Sequence, residues 1–135
     1  MARPYIGGSG AAVKTITADT TLYSSDHGKT CLINHNAAST VTVNLPAKES
    51  GLEIKFLFIA EMANASANFH IKAPNANDMV GSIATIAADL TGVSKADNGS
   101  VNQLQITDDV HQGSFVNCIC DGSKWYVNGI LYSDS

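Results

Sequence analysis

The sequence predicts an all-β fold, a single-domain β-sandwich or jelly-roll-like barrel of about eight or nine short strands with an extended N-terminal arm. Three observations support this class. Short segments alternate between apolar and polar residues, as half-buried strands do. Clusters of Gly, Asn, Asp and Ser separate them. Helical spacing occurs only in residues 82–92, where a strand followed by a loop is an equal alternative.

The strand predicted within residues 40–46 shows the half-buried pattern most clearly. Val41, Val43 and Leu45 lie on one face, and polar residues alternate with them. Pro46 then ends the strand, because proline has no amide hydrogen to donate to a sheet.

The next strand, within residues 51–60, has apolar residues on both faces. Phe56 and Phe58 share one face, whereas Leu57 and Ile59 share the other. Such a strand is either central and covered on both sides or buried on one face against another chain. We assign Leu57 and Ile59 to an expected subunit interface.

Trp125 and Tyr126 follow residues 121–123, the strongest hairpin signal in the chain. Aromatic residues placed after a turn usually close one end of a β core. Two alternatives stay open. Trp125 and Tyr126 belong to the same subunit interface, or they form, together with Tyr132, an exposed patch that stacks on a sugar.

The chain divides into a flexible N-terminal arm, residues 1–13, and a β domain, residues 14–135. Glycine-rich residues 7–10 predict a hinge, because glycine leaves the backbone unrestrained. The four residues before this hinge are the candidate docking arm: Arg3, Pro4, Tyr5 and Ile6.

Composition narrows the function classes. Charged residues make up only 15% of the 135 residues, below the roughly 25% usual for soluble domains, so the surface suits contact with other protein. The net charge is −4 and no basic stripe is present, which argues against a nucleic-acid partner. No apolar run approaches the roughly 20 residues of a membrane span, and the N-terminus does not predict a signal peptide.

Gly28, Lys29 and Thr30 match the end of a phosphate-binding loop. That loop also needs a glycine five residues before Gly28, where this chain has Tyr23, and a helix after it. An apolar strand sequence follows instead. We therefore predict a polar turn built by Asp26 and Gly28, with Lys29 pointing to solvent.

No pattern predicts catalysis, a metal or a cofactor. The histidines lack the spacing of a zinc site, and we expect His27 and His35 to be solvated and His70 to be buried on a strand. No Gly-x-Ser-x-Gly motif is present. The three cysteines, Cys31, Cys118 and Cys120, are expected to be buried free thiols. The expected class is therefore not an enzyme.

Five segments in order resemble a domain of tailed-bacteriophage structural proteins, namely capsid decoration (cement) proteins, head fibres and related virion components. They are "ADTTL", the "D-x-GKT" turn, "TVTVNLP", "GLEIKF" and the terminal "DG-x-KWYV-x-G", which together span roughly residues 15–131.

The resemblance implies a β domain without catalysis, commonly a homotrimer, with the major capsid protein as partner. The single compact domain favours a decoration protein on the outer capsid surface of the virion, made in the bacterial host cytoplasm, that stabilises the shell. The alternative is a head-fibre or tail module that binds a host-surface glycan or receptor.

Overall fold

The computed structural model describes residues 13–36, 38–62, 68–87, 92–106 and 110–133, with the backbone alone described at 87, 92–101 and 133. These residues form eleven strands in two sheets and one 3₁₀ turn, Ser24–Asp26. The all-β class is therefore confirmed. The described part of the chain contains no helix that could span a membrane.

The strands are shared unequally between the two sheets. The large sheet has the spatial order β1 (Val13–Ile16), β3 (Thr30–Ile33), β5 (Glu53–Phe58), β10 (Phe115–Cys120), β11 (Trp125–Ser133), β7 (Met79–Ala87) and β8 (Gly92–Val101). The small sheet has the order β2 (Thr20–Thr21), β4 (Val41–Asn44), β6 (Phe69–Lys72) and β9 (Gln103–Ile106).

The first six strands alternate between the sheets. β1, β3 and β5 pair in parallel in the large sheet, and β2, β4 and β6 pair in parallel in the small sheet. Each passage through both sheets adds one strand to each, so this half of the chain coils around the core. The spacing of paired residues changes from 17 (Val13 to Thr30) to 25 (Thr30 to Lys55), which is why the sequence shows no repeat.

Antiparallel strands complete both sheets. β10 pairs with β5 and, through the turn at residues 121–124, with β11, so the predicted hairpin is confirmed. Within the segment with helical spacing, residues 82–87 belong to strand β7. Residues 97–99, an Asp-Asn-Gly sequence that predicts a turn between strands, lie instead inside β8, where Asp97 and Asn98 pair with β7.

One hydrophobic core lies between the two sheets. Phe69 of β6 meets Phe56 and Phe58 of β5 edge to face, with ring centroids 6.4 Å and 5.6 Å apart. Val41, Val43 and Leu45 are buried, as their alternation predicts. These contacts across the core join the large sheet to the small sheet.

Four turns meet at one end of the molecule, which we call the turn end: residues 26–29, 49–52, 75–78 and 121–124. Backbone hydrogen bonds link them, including Gly28 N to Glu53 O at 2.8 Å and Trp125 N to Asp78 O at 2.7 Å. β1 begins at this end, at Val13. The candidate arm residues Arg3, Pro4, Tyr5 and Ile6 lie outside the described residues.

Candidate functional site

The outer face of the large sheet, turned away from the small sheet, is the candidate site. Strand residues alternate between the two faces of a sheet. On β5, Phe56 is fully buried, whereas Lys55 is exposed and Leu57 is partly exposed. The outward residues of the neighbouring strands follow from the pairing register.

An apolar row crosses five strands of this outer face. Leu57 pairs with Leu32 on one side and with Phe115 on the other, Phe115 pairs with Ile130, and Ile130 pairs with Ala84. All five side chains are partly exposed. Directly opposed residues lie about 4.5–5.5 Å apart, so the row is continuous.

Two further rows lie beside the first. Ile119 pairs with Tyr126, each 43% exposed, and Glu53 and Val80 extend this second row. A polar row runs between the two. We call these three rows together with Ile59 the apolar face. The first row is Leu32, Leu57, Phe115, Ile130 and Ala84, the polar row is Lys55, Asn117, Asn128 and Ser82, and the second apolar row is Glu53, Ile119, Tyr126 and Val80.

The outer face of the small sheet has the opposite character. One of its rows contains Thr42, His70 and Gln105, and the neighbouring row contains Asn44, Lys72 and Gln103. Every one of these side chains is polar and at least partly exposed. The chain therefore turns one polar and one apolar sheet face outward.

The structure places three of the four expected interface residues on the apolar face. Leu57 and Tyr126 lie in its rows, and Ile59, 36% exposed, follows β5 with the same outward parity. The assignment of Trp125 is wrong. Its side chain is 0% exposed, because β11 turns Trp125 toward the core and Tyr126 toward solvent.

Burial of Trp125 also removes the centre of the sugar-stacking patch considered from the sequence. Tyr126 and Tyr132 are exposed, at 43% and 40%, but the indole ring is not accessible to a ligand. The interpretation that Trp125 closes the β core fits its position.

Sequence reasoning missed the role of Asp121 beside the apolar face. Its Oδ1 accepts the Ser123 and Lys124 amides at 2.7 Å and 2.8 Å, which holds the hairpin turn. Its Oδ2 accepts the Tyr126 hydroxyl at 3.1 Å. The Lys124 and Ser123 amides lower the pKa of Asp121, and the bond to Asp121 raises the pKa of Tyr126. Asp121 thus orients an exposed aromatic ring of the face.

Sequence reasoning also missed Leu32, Phe115, Ile119 and Ile130. Leu32 on β3 and Phe115 and Ile119 on β10 alternate with buried residues, so their outward parity was readable from the sequence, whereas that of Ile130 on β11 was not. Their alignment into rows was not, because it depends on which strands are neighbours.

The segment around Gly28, Lys29 and Thr30 is an architectural turn. Asp26 is buried, accepts the Tyr23 amide at 3.0 Å and lies 3.0 Å from Lys29 Nζ. Lys29 was expected in solvent, but it folds back onto this carboxylate, and Lys14 Nζ approaches the same oxygen at 3.6 Å. The lysine that would bind a phosphate therefore neutralises a buried aspartate.

The four histidines lie in different parts of the fold. Residues 13–36, 38–62, 68–87, 92–106 and 110–133 contain no group of three or more metal-ligating side chains. His27 is exposed as predicted. His35 is instead buried, with Nε2 3.0 Å from Asn68 O, because the loop after β3 folds it against Phe69. His70 is partly exposed, since it faces outward on β6.

A hollow of about 320 Å³ opens at the end opposite the turn end. Among the described residues, Asp19 is the one carboxylate that lines this hollow, and its Oδ1 accepts a hydrogen bond from the Thr42 backbone amide at 2.8 Å. The other described residues that line the hollow contribute only hydroxyl, methyl and isopropyl groups, so the lining contains no acid–base pair. They are Thr17, Ala18, Ser39, Thr40 and Val41.

All three thiols are buried and free, as predicted. Burial raises the pKa of Cys31 to about 11, with a further contribution from the charge of Asp26. Burial also raises the pKa of Cys118. Thiols in this state are weak nucleophiles at neutral pH.

No family model, no curated protein and no solved structure matches the chain.

Proposed function

We propose that the protein is a structural subunit of a tailed-bacteriophage virion, a capsid decoration (cement) protein that binds the outer capsid surface at subunit junctions and stabilises the shell. The observation that carries this proposal is the apolar face. It spans five strands, and no described element of the chain lies over it. A surface of this kind is expected on a subunit that other protein covers.

The segments that resemble virion proteins support the same role. Residues 41–44 form β4, residues 53–58 form β5, and the turn at 121–124 leads into β11. These segments form the framework of both sheets. We therefore propose a β-sandwich for the packed sheets and a role without catalysis. The antiparallel jelly roll is a poorer description, because the first six strands pair in parallel.

In this proposal copies of the chain contact one another through the apolar face, as a homotrimer, and contact the major capsid protein through the turn end and the N-terminal arm. β1 starts at the turn end, so an arm that contains Arg3, Pro4, Tyr5 and Ile6 is attached beside the turns. Each bound copy stabilises the closed shell, because ligands that bind only the assembled state shift the equilibrium toward it.

Deletion of residues 1–12 tests the proposal. Capsid shells of the encoding phage, stripped of this protein, are mixed with the full-length chain or with the truncated chain and sedimented. We expect the full-length chain to co-sediment and the truncated chain to stay in solution with an unchanged circular dichroism spectrum. Undiminished binding of the truncated chain contradicts the arm assignment. Absence of the full-length chain from purified virions contradicts the function.

A further inference from the structure

We propose that, in the chain free of the shell, residues 3–6 of its own N-terminal arm lie on the apolar face. Tyr5 and Ile6 then pack against the second apolar row, at Ile119. The arm cannot contact the face and the shell at once, so shell binding withdraws the arm and uncovers the face for other copies of the chain. Only this release rests on the proposed function, whereas the contact between arm and face does not.

The arm is attached at the edge of the apolar face. Val13, at the start of β1, pairs with Thr30, and Thr30 pairs with Lys55 of the polar row. Val13 has the opposite parity to the buried Ile16 and is 46% exposed, so it points outward with that row. The backbone before Val13 leads toward the turn end, and the row nearest that end is the second apolar row, which begins at Glu53. The arm therefore starts beside the second row.

The arm is long enough to reach the middle of the second row. Ile119 is on β10, three strand spacings from β1, because β3 and β5 lie between them. Three spacings of about 4.8 Å amount to about 14 Å. Residues 7–12 span up to about 20 Å at about 3.3 Å each, and the glycines among them let the chain turn over the sheet. Tyr5 and Ile6 therefore reach Ile119 without any displacement of β1.

The arm matches the second row in polarity and in charge. Its aromatic and aliphatic side chains meet exposed apolar ones, and Arg3 is its single charged residue. Two carboxylates flank the apolar part of the row: Glu53 pairs with Ile119, and Asp121 accepts the Tyr126 hydroxyl. The ammonium group of the face lies in the polar row instead. A guanidinium group pairs with carboxylates and stacks on tyrosine rings, so this row offers Arg3 both kinds of contact.

Covalent attachment selects the arm over a separate protein as the occupant in the free chain. A short flexible linker holds its ligand at about millimolar effective concentration, which is about a thousandfold above a second chain at micromolar concentration. The arm therefore covers the row first, and any other occupant has to displace it.

The reactivity of a thiol placed on the face tests the contact. Ile119→Cys is made in the full-length chain and in the chain that lacks residues 1–12, and the rate of its reaction with a chromogenic disulfide reagent is measured at micromolar protein concentration. We expect the deletion to raise the rate about threefold or more, because the arm shields the thiol, with an unchanged circular dichroism spectrum. We expect Tyr5→Ser combined with Ile6→Ser to raise the rate to the same degree in the full-length chain.

Gln105→Cys is the matched control, since its exposed side chain lies on the polar outer face of the small sheet. We expect the deletion to leave its rate unchanged. Equal rates of Ile119→Cys in the two chains overturn the inference, as does an equal rise in Gln105→Cys. Shielding of the full-length chain that disappears on dilution also overturns it, because the covering arm belongs to the same chain. If Ile119→Cys does not fold, Val80→Cys on the same row decides.

Stripped capsid shells distinguish this inference from the proposed function. At low occupancy, where bound copies are isolated, we expect Ile119→Cys on the shell to react at the rate of the truncated chain, and slow reaction there overturns the release. Shielding in a chain that never binds the shell contradicts the function and leaves the contact standing. Shell binding by a chain whose thiol rate does not respond to the deletion contradicts the inference and leaves the function standing.

Discussion

Asp26 determines how the first turn of the chain is built. Burial raises the pKa of its carboxyl group, but the Tyr23 amide and the charges of Lys29 and Lys14 outweigh burial, so the net pKa lies below the usual 3.8. A lowered pKa means that the folded state prefers the ionised form. The contribution to stability is therefore present above about pH 4 and is lost as the pH falls through the folded-state pKa.

We expect Asp26→Asn to lower the free energy of unfolding at pH 7 by about 1–2 kcal/mol, because Lys29 and Lys14 lose their counter-charge while the Tyr23 amide keeps an acceptor. Urea unfolding at pH 7 and pH 3 measures the effect. The difference from the unaltered chain shrinks at pH 3, because this pH lies below the usual pKa of 3.8 that Asp26 has in the unfolded chain, and it is lost once the pH falls through the folded-state pKa.

Glu49→Gln provides the control for Asp26→Asn. Glu49 is an exposed carboxylate at the same end of the molecule, and we expect its replacement to change stability by less than about 0.5 kcal/mol. Equal stability of Asp26→Asn and the unaltered chain at pH 7 contradicts the structural role of the turn.

Among the elements, β11 is held on both edges, since it pairs with β10 on one side and with β7 on the other. Gly129 lies at its middle. A β-carbon there would overlap the Phe115 carbonyl oxygen and lie 2.9 Å from Val116 Cα. The close approach of β10 and β11 therefore requires glycine, and this approach places Phe115 and Ile130 side by side in the apolar row.

We expect Gly129→Ala to destabilise the fold by about 3 kcal/mol or more, because backbone must move to relieve the overlap. Gly28→Ala is the matched comparison. Gly28 has φ of +80° but open space around it, so the change costs about 1–2 kcal/mol of backbone strain alone. Urea titration of both variants measures the difference. A smaller loss in Gly129→Ala than in Gly28→Ala contradicts the packing argument.

At the scale of the whole molecule, the two sheets enclose one core and turn unlike faces outward. The core contains all three thiols, two from β10 and one from β3. Reagents reach these thiols only when the sheets separate, so their reactivity reports the opening of the entire domain.

We expect none of the three thiols to react with a chromogenic disulfide reagent at pH 8 in the native protein, and all three to react in denaturant. Burial keeps the pKa of Cys31 at about 11 and raises that of Cys118, so little thiolate is present. Ser50→Cys supplies an exposed thiol that calibrates the assay. Rapid reaction of a native cysteine contradicts a closed core.

The alternation of each strand was determined by the sequence alone. The inward sets Ile54, Phe56 and Phe58, and Val41 and Val43, are buried as their spacing predicts, because side-chain parity depends only on local backbone geometry. The hairpin at residues 121–124 and the free thiols were predictable for the same local reason. The parity of β11 was not, because Trp125 and Tyr126 are both aromatic and either one satisfies the pattern.

Only the tertiary structure decided which strands are neighbours. The parallel coil of β1 to β6 brings Leu32 beside Leu57, and the later strands bring Phe115, Ile130 and Ala84 into the same row. Strand order depends on long-range packing and on connections of unequal length. A surface assembled across five strands is therefore absent from any one segment of the sequence, although each segment contributes its own outward residue.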